Sequence, residues 1–353
     1  MITLEKIFEP RLVINSDQRF IALMGSNSMQ YRSTPGIVGA GSIEWNTIDP
    51  PNPDSILGRK VYISVDVSMT FNAAAGENTL PILRPGTDGL RAFPFTSCIS
   101  SLVAKVNGQA ITSDMLNDTI HARSRYFNFT TKSLNLSETG ALLDKTQEYA
   151  DLFGGTNNPL GILGDSGLFS GETRGILTNL NITANSPTTA SITFTVTEPL
   201  FLFPFEFATN ANETGISRLQ TIQVSLVYIN ANRMWCHDFA NGSVIDTMST
   251  TIRSAYIHMN LLTPPNDYPL PISCTLPFDD FRPFARNLGV FQPGEERSTD
   301  TISFTVQTVP QQLFLYAKES RTSINSSLHS QIGTTDTFAL ISHITLFYDN
   351  APA

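Results

Sequence analysis

Strict alternation of apolar and polar side chains is the first regularity in the chain. From Val61 to Phe71 the apolar residues Val61, Ile63, Val65, Val67, Met69 and Phe71 take every second place, with Ser64, Asp66, Ser68 and Thr70 between them. Successive side chains on a strand point to opposite faces, so this run predicts a strand with one buried and one polar side. The segments Ile192–Glu198, Ile222–Ile229 and Ala255–Leu262 repeat the pattern. Cys98–Gly108 predicts another strand that ends in an Asn107-Gly108 turn, with Gln109–Thr112 as the return of a hairpin. Thr301–Val306, Leu313–Ala317 and Ala339–Tyr348 predict strands near the end of the chain. Strands do not alternate with helical patterns, which argues against a parallel sheet.

The breaks in the pattern divide the chain. Residues 1–57 show no sustained period and include Asp49-Pro-Pro-Asn-Pro53, where proline forbids both helix interior and central strand. They read as an N-terminal arm or extended entry segment. Ser113 reads as a helix cap, with short helices expected over Asp114–Arg125 and Ala141–Phe153. Residues 154–189, rich in Gly, Asn, Ser and Thr, read as a long loop. Thr263-Pro-Pro-Asn-Asp267 is the best domain boundary. The expected organisation is an arm over 1–57, a first sandwich over 58–263 and a second over 264–353. Many short strands with proline-rich turns point to an all-β fold of jelly-roll sandwiches, with short helices and long loops.

Composition narrows the function. Charged residues are 15% of the 353-residue chain, against about 25% in typical soluble proteins. A net charge of −9 without any Lys/Arg run disfavours a nucleic-acid surface, because phosphate neutralisation needs clustered cations. Cys98, Cys236 and Cys274 are widely spaced and odd in number, which reads as free thiols rather than a disulfide framework. Glu5, Lys6, Glu9 and Arg11 interrupt what a signal peptide would keep apolar, so no secretion signal is expected.

Candidate chemistry is thin. Trp235-Cys-His-Asp238 with His258 is the densest set of possible metal ligands, but adjacent strand residues point apart. Gly36-Ile-Val-Gly-Ala-Gly41 has the look of a nucleotide loop without the preceding strand and following helix, and reads as flexible arm. Asp279-Asp280 and Glu295-Glu296 are adjacent acids rather than a pair held apart across a cleft. The Phe201–Phe207 run reads as core. No G-x-S-x-G elbow occurs. The sequence therefore assigns no catalytic, cofactor-binding or metal-binding residue, and the chain is expected not to be an enzyme.

Several blocks, in order, resemble the double jelly-roll major capsid proteins of the adenovirus and tectivirus lineage, most nearly those of polinton-like and adintovirus-type viruses. They are Ile43-Glu-Trp45, Asp49-Pro-Pro-Asn-Pro53 and Gly58-Arg-Lys-Val61, then Leu90-Arg-Ala-Phe-Pro94 and Val106-Asn-Gly108. Glu198-Pro-Leu-Phe-Leu-Phe-Pro-Phe205 with Gly215-Ile216 follows, and then Val309-Pro310, Leu313–Tyr316 and Ile341–Asn350. The resemblance implies two side-by-side sandwiches in a subunit whose homotrimer is pseudo-hexagonal and tiles an icosahedral shell of a DNA virus. Neighbouring capsomers, penton and minor capsid proteins would be its partners, and the virion its location. Residues 264–353 are fewer than a second eight-stranded roll needs, so that roll is expected to be incomplete in this chain. Loops 154–189 and around Asn241-Gly242 would form an outer tower. The rival reading is a receptor- or carbohydrate-binding β-sandwich spike, or a minor capsid protein.

Overall fold

A computed structural model describes residues 28–50, 53–73, 88–90, 93–117, 177–186, 188–202, 215–237 and 245–264. Shorter described pieces lie at 6–8, 21–23, 119–120, 205, 281–289, 310, 312–318, 338–339, 341–345, 347–348 and 351–352. Ten strands build a sandwich: β1 (Ser28–Pro35), β2 (Ile37–Val38), β3 (Ser42–Ile48), β4 (Ile56–Ala73), β5 (Ile99–Val106), β6 (Gln109–Asp114), β7 (Leu177–Ser186), β8 (Thr189–Pro199), β9 (Ile222–Tyr228) and β10 (Ile245–Thr263). One antiparallel sheet runs β7-β8-β4-β10-β1 and the other β2-β3-β9-β5-β6. The order interleaves distant parts of the chain, as a jelly roll does.

The alternation read along β4 sets the sandwich. Val61, Ile63, Val65, Val67, Met69 and Phe71 are all at most 3% exposed. They join a single core with Ile43, Trp45, Leu102, Ala104, Val224 and Leu226 of the other sheet. Full burial of such side chains is worth about 1.5–3 kcal/mol each, so this layer dominates the stability of the sandwich. On the opposite side of β4 the polar set forms a ladder. Ser64 Oγ lies 2.7 Å from Thr197 Oγ1 of β8, Thr195 Oγ1 donates to Asp66 at 2.6 Å, and Ser254 of β10 also hydrogen-bonds Asp66. Asn72 continues the ladder by donating to Thr247 and accepting from Thr189, both at 3.1 Å.

The structure departs from the sequence reading in several places. Residues 28–48, read as arm, form β1, β2 and β3 and bury Ile43, Trp45 and Ile48. Their strands are short and broken by glycine corners, so no period accumulates in the sequence. Within the expected loop 154–189, Leu177–Ser186 is β7, paired to β8; as an edge strand it needs little apolar character. Residues 154–176 and Asn241-Gly242 lie outside the described residues. Ser113 is not a helix cap but a buried residue of β6, whose pairing with β5 runs to Asp114; the chain then turns at Met115 (φ 54°) and is helical at 116–117 and 119–120. The helix expected over Ala141–Phe153 lies outside the described residues.

Within 264–353, Ala317–Lys318 pairs with Phe338–Ala339, and Phe347–Tyr348 with Ala351–Pro352. Residues 313–316 and 341–345, expected as strand, are irregular, and Leu313, Phe314, Leu315, Ile341 and Ile344 are exposed. The strand expected over Thr301–Val306 lies outside the described residues.

The glycine run 36–41 is a corner and not a free arm. Gly36 passes the chain from the sheet of β1 to the sheet of β2, its N–H donating to Ala255 O at 2.8 Å. The Trp45 ring lies directly on it: a Cβ at Gly36 would sit 2.7 Å from Trp45 Cε2 and 2.8 Å from Nε1. That indole donates to Thr34 O at 3.1 Å, which satisfies a carbonyl of edge strand β1. At Gly39 an added Cβ would meet Ser42 Oγ, an adjustable side chain, at 3.1 Å. Gly36→Ala should therefore cost about 1–3 kcal/mol as an overpacked site and lower the Tm by several degrees, while Gly39→Ala moves it less. Thermal denaturation followed by circular dichroism checks the ranking; equal effects would remove the corner from the account.

Candidate functional site

Several blocks that look scattered in the sequence meet at joints in the fold. The first meeting is a carboxylate clamp. Strand β8 carries Glu198 inward, where it is 1% exposed, beside the 3-10 turn Thr96–Cys98. Phe95 N–H donates to Oε1 at 2.8 Å, Thr96 N–H to Oε2 at 2.8 Å, and the Thr96 hydroxyl to the same oxygen at 2.5 Å. A helical turn leaves its first N–H groups unpaired, and this side chain from a distant strand satisfies two of them. Burial pushes the Glu198 carboxyl up to about 7, opposed by the three hydrogen bonds from Thr96 and Phe95.

Arg233 grips the same turn from the opposite end. It is 1% exposed, and its Nε donates to Ser97 O at 2.9 Å. It comes from a second 3-10 turn, Ala231–Met234, which Asn230 opens by accepting from Asn232 N–H. A buried cation needs donors fully used or it destabilises the fold. Just before this turn the backbone is strained at Phe93, a bulky residue at φ 49°. Its ring meets Phe201 edge-on with centroids 5.1 Å apart. Thus Leu90–Pro94 and Glu198–Phe205, two of the blocks quoted above, are two halves of one joint.

Two more joints follow the same logic. At the β5–β6 turn Asn107 adopts φ 49°, and its side-chain oxygen accepts from Gln220 and Thr221 N–H at 2.7 and 3.2 Å while its amide donates to Arg218 O at 2.8 Å. The turn that the sequence predicted as a hairpin end therefore also ties down the approach to β9. Leu57 and Ile216 exchange backbone hydrogen bonds of 2.9 and 2.8 Å, which joins the start of β4 to Gly215-Ile216.

These joints hold shape and offer no open catalytic constellation. Among the described residues, no three His, Cys, Asp or Glu converge as a metal site. Trp235–His237 is a strand paired to Asp88–Leu90, with Trp235 buried against Phe71 at 5.0 Å. His258 lies on β10 and hydrogen-bonds Ser64. Cys98 is a buried free thiol. Asp279-Asp280 and Glu295-Glu296 lie outside the described residues. The Phe201–Phe207 run is core where it is described: Phe201, Leu202 and Phe205 are buried. Sequence reasoning missed the role of Glu198 as a clamp, since its partners are about a hundred residues away. The one signal available was a charged residue where the alternation of β8 calls for an apolar one.

The sandwich and its joints coincide with a known family's sequence profile. The profile described as "Sputnik virophage major capsid protein 1st domain" matches residues 4–260. The putative capsid protein V20 of Sputnik virophage is 29% identical over 354 aligned residues, covering 97% of this chain and 59% of that protein. This chain thus spans under two thirds of its relative's length. Among solved structures, a chain of the Sputnik virophage determined by cryo-EM superposes with a TM-score of 0.57 at 28% identity, over 76% of this chain and 54% of that one. The mavirus major capsid protein gives 0.44 at 17% identity, over 69% and 47%.

The Glu198 clamp carries a pH prediction. A folded-state carboxyl at about 7 lies above its ordinary 4.5, so the native state binds the proton more tightly than the unfolded chain. Its contribution to stability is full below about 4.5 and is lost as pH rises through about 7, on the order of a few kcal/mol. Glu198→Gln, neutral throughout, should flatten that component of the stability profile between pH 5 and 8. Urea denaturation at both pH values in both proteins tests it; an unchanged slope in the variant would show that the carboxyl does not titrate there.

Proposed function

This chain belongs to the Sputnik virophage major capsid protein family, and on that premise we propose that it is a structural subunit of an icosahedral virion shell. It acts by forming interfaces. Three copies associate into a pseudo-hexagonal capsomer, and capsomers tile flat facets beside penton and minor capsid proteins. No catalytic step is part of this role. The protein resides in the virion after synthesis inside the host cell, and it makes no sequence-specific contact with nucleic acid. The boundary near residue 263 separates the first roll from a second over 264–353; in support, β10 ends at Thr263 and the family match ends at 260.

The observation that carries the reading is the coincidence of the family match with the whole sandwich, including the joints where the quoted blocks meet. The surface suits the role. A chain with few charges can bring copies together without long-range repulsion. Exposed apolar residues such as Ile37 at 64% and Val227 at 49% lie on the outward side of the second sheet, where a neighbour's contact would cover them. Expression of the full chain followed by size-exclusion chromatography with light scattering should give a trimer, and negative-stain microscopy should show triangular or hexagonal capsomers. A stable monomer that binds glycans on an array would instead establish the spike reading.

A further inference from the structure

Edge strand β1 is held to its sheet only through β10, and one imidazole spans that seam. His258 of β10 places Nε2 2.7 Å from Ser64 Oγ on β4, and Ser64 lies 2.7 Å from Thr197 Oγ1 on β8. The same ring stacks on Tyr31 of β1, with centroids 5.6 Å apart and planes 12° from parallel. Its Nδ1 is buried and has no hydrogen-bond partner among the described residues. A bare ring nitrogen tolerates such a place better than an unpaired N–H. The network therefore assigns the neutral tautomer with its proton on Nε2, donated to Ser64 Oγ, which also hydrogen-bonds Thr197.

We propose that His258 is an acid-released latch on strand β1: a proton taken up at Nδ1 finds no acceptor, drives the ring out of the sheet face, breaks the Tyr31 stack and frees Ser28–Pro35 from β10. Among the described residues, the titratable and charged groups on this face are Tyr31 of β1, Lys60, Tyr62 and Asp66 of β4, and Tyr256 of β10, with Arg253 in the bulge between Ile252 and Ser254. Strand β8 presents only Thr195, Thr197 and Pro199 there. Asp66, the one carboxylate among these described residues, already accepts from Thr195 and Ser254, and none of them hydrogen-bonds the buried nitrogen. Burial lowers the imidazole pKa below its ordinary value. The stability that the latch supplies is thus present above about 6.5 and is lost as pH falls through the lowered value. This is the reverse of the sign at Glu198, so the two cannot be confused. The latch is a property of the folded chain and stands whether or not the shell role does.

Hydrogen exchange of the full chain, read by mass spectrometry at pH 7.5 and 5.0 and corrected for intrinsic rates, tests it. In the native protein, opening of residues 28–35 should rise about tenfold or more on acidification relative to 109–114, the edge strand of the other sheet, since one pH unit across the titration is worth up to tenfold. In His258→Phe, which keeps a flat ring for Tyr31 but cannot take a proton, the rise should vanish; His258→Gln serves if that variant does not fold. An unchanged ratio in the native protein overturns the proposal, as does an equal rise in native protein and variant.

Discussion

Six side chains on one strand hold this sandwich together. The inward row of β4, from Val61 to Phe71, lies at the centre of its sheet between β8 and β10 and meets the inward row of the other sheet. Every other feature is a condition for keeping that layer dry and continuous. Backbone and side-chain polar groups near it must find partners inside the protein, since water is excluded and each unmet group costs free energy.

That condition explains why the charged residues of the interior sit where they do. Glu198 and Arg233 are buried because the Phe93–Cys98 segment crosses the end of the sandwich as a tight turn with unpaired N–H and C=O groups. The clamp makes the turn specific: an apolar residue at 198 would keep the layer dry but leave two donors unpaired. The same reasoning covers Asn107 at its hairpin and Trp45 over Gly36. Leu90–Pro94, Val106–Gly108, Glu198–Phe205 and Gly215-Ile216, blocks that resemble the capsid family's, lie at joints of this kind, where side chain and backbone must fit one geometry.

The outside of the sandwich follows different rules. Hydroxyls, amides and one carboxylate line the outward side of β4, β8 and β10, cross-linked strand to strand. Such a face is cross-linked without becoming adhesive, because these groups of neighbouring strands hydrogen-bond one another. The outward side of the other sheet keeps isolated apolar residues such as Val227 and Ile37, which suits contacts between copies in a shell. Edge strand β1 is partly closed by Trp45 at Thr34, which limits unwanted strand addition.

How much of this was legible in the sequence depends on how local each cause is. Strands β4, β5, β8, β9 and β10 were readable because alternation is a property of neighbours in the chain and burial of one face enforces it. The Asn107-Gly108 turn was readable because positive φ at both residues restricts composition. The all-β architecture followed from these, and the ordered blocks added the capsid family. Strands β1, β2, β3 and β7 were not readable, since short or edge strands accept polar residues and draw their order from a partner strand far away in sequence. Tertiary structure alone decided that Glu198 would meet Phe95 and Thr96, that Trp45 would require a glycine at 36, and that His258 would bridge three strands. Each of these is a contact between residues that only the pairing of distant strands brings within reach, and no local pattern encodes such a distance.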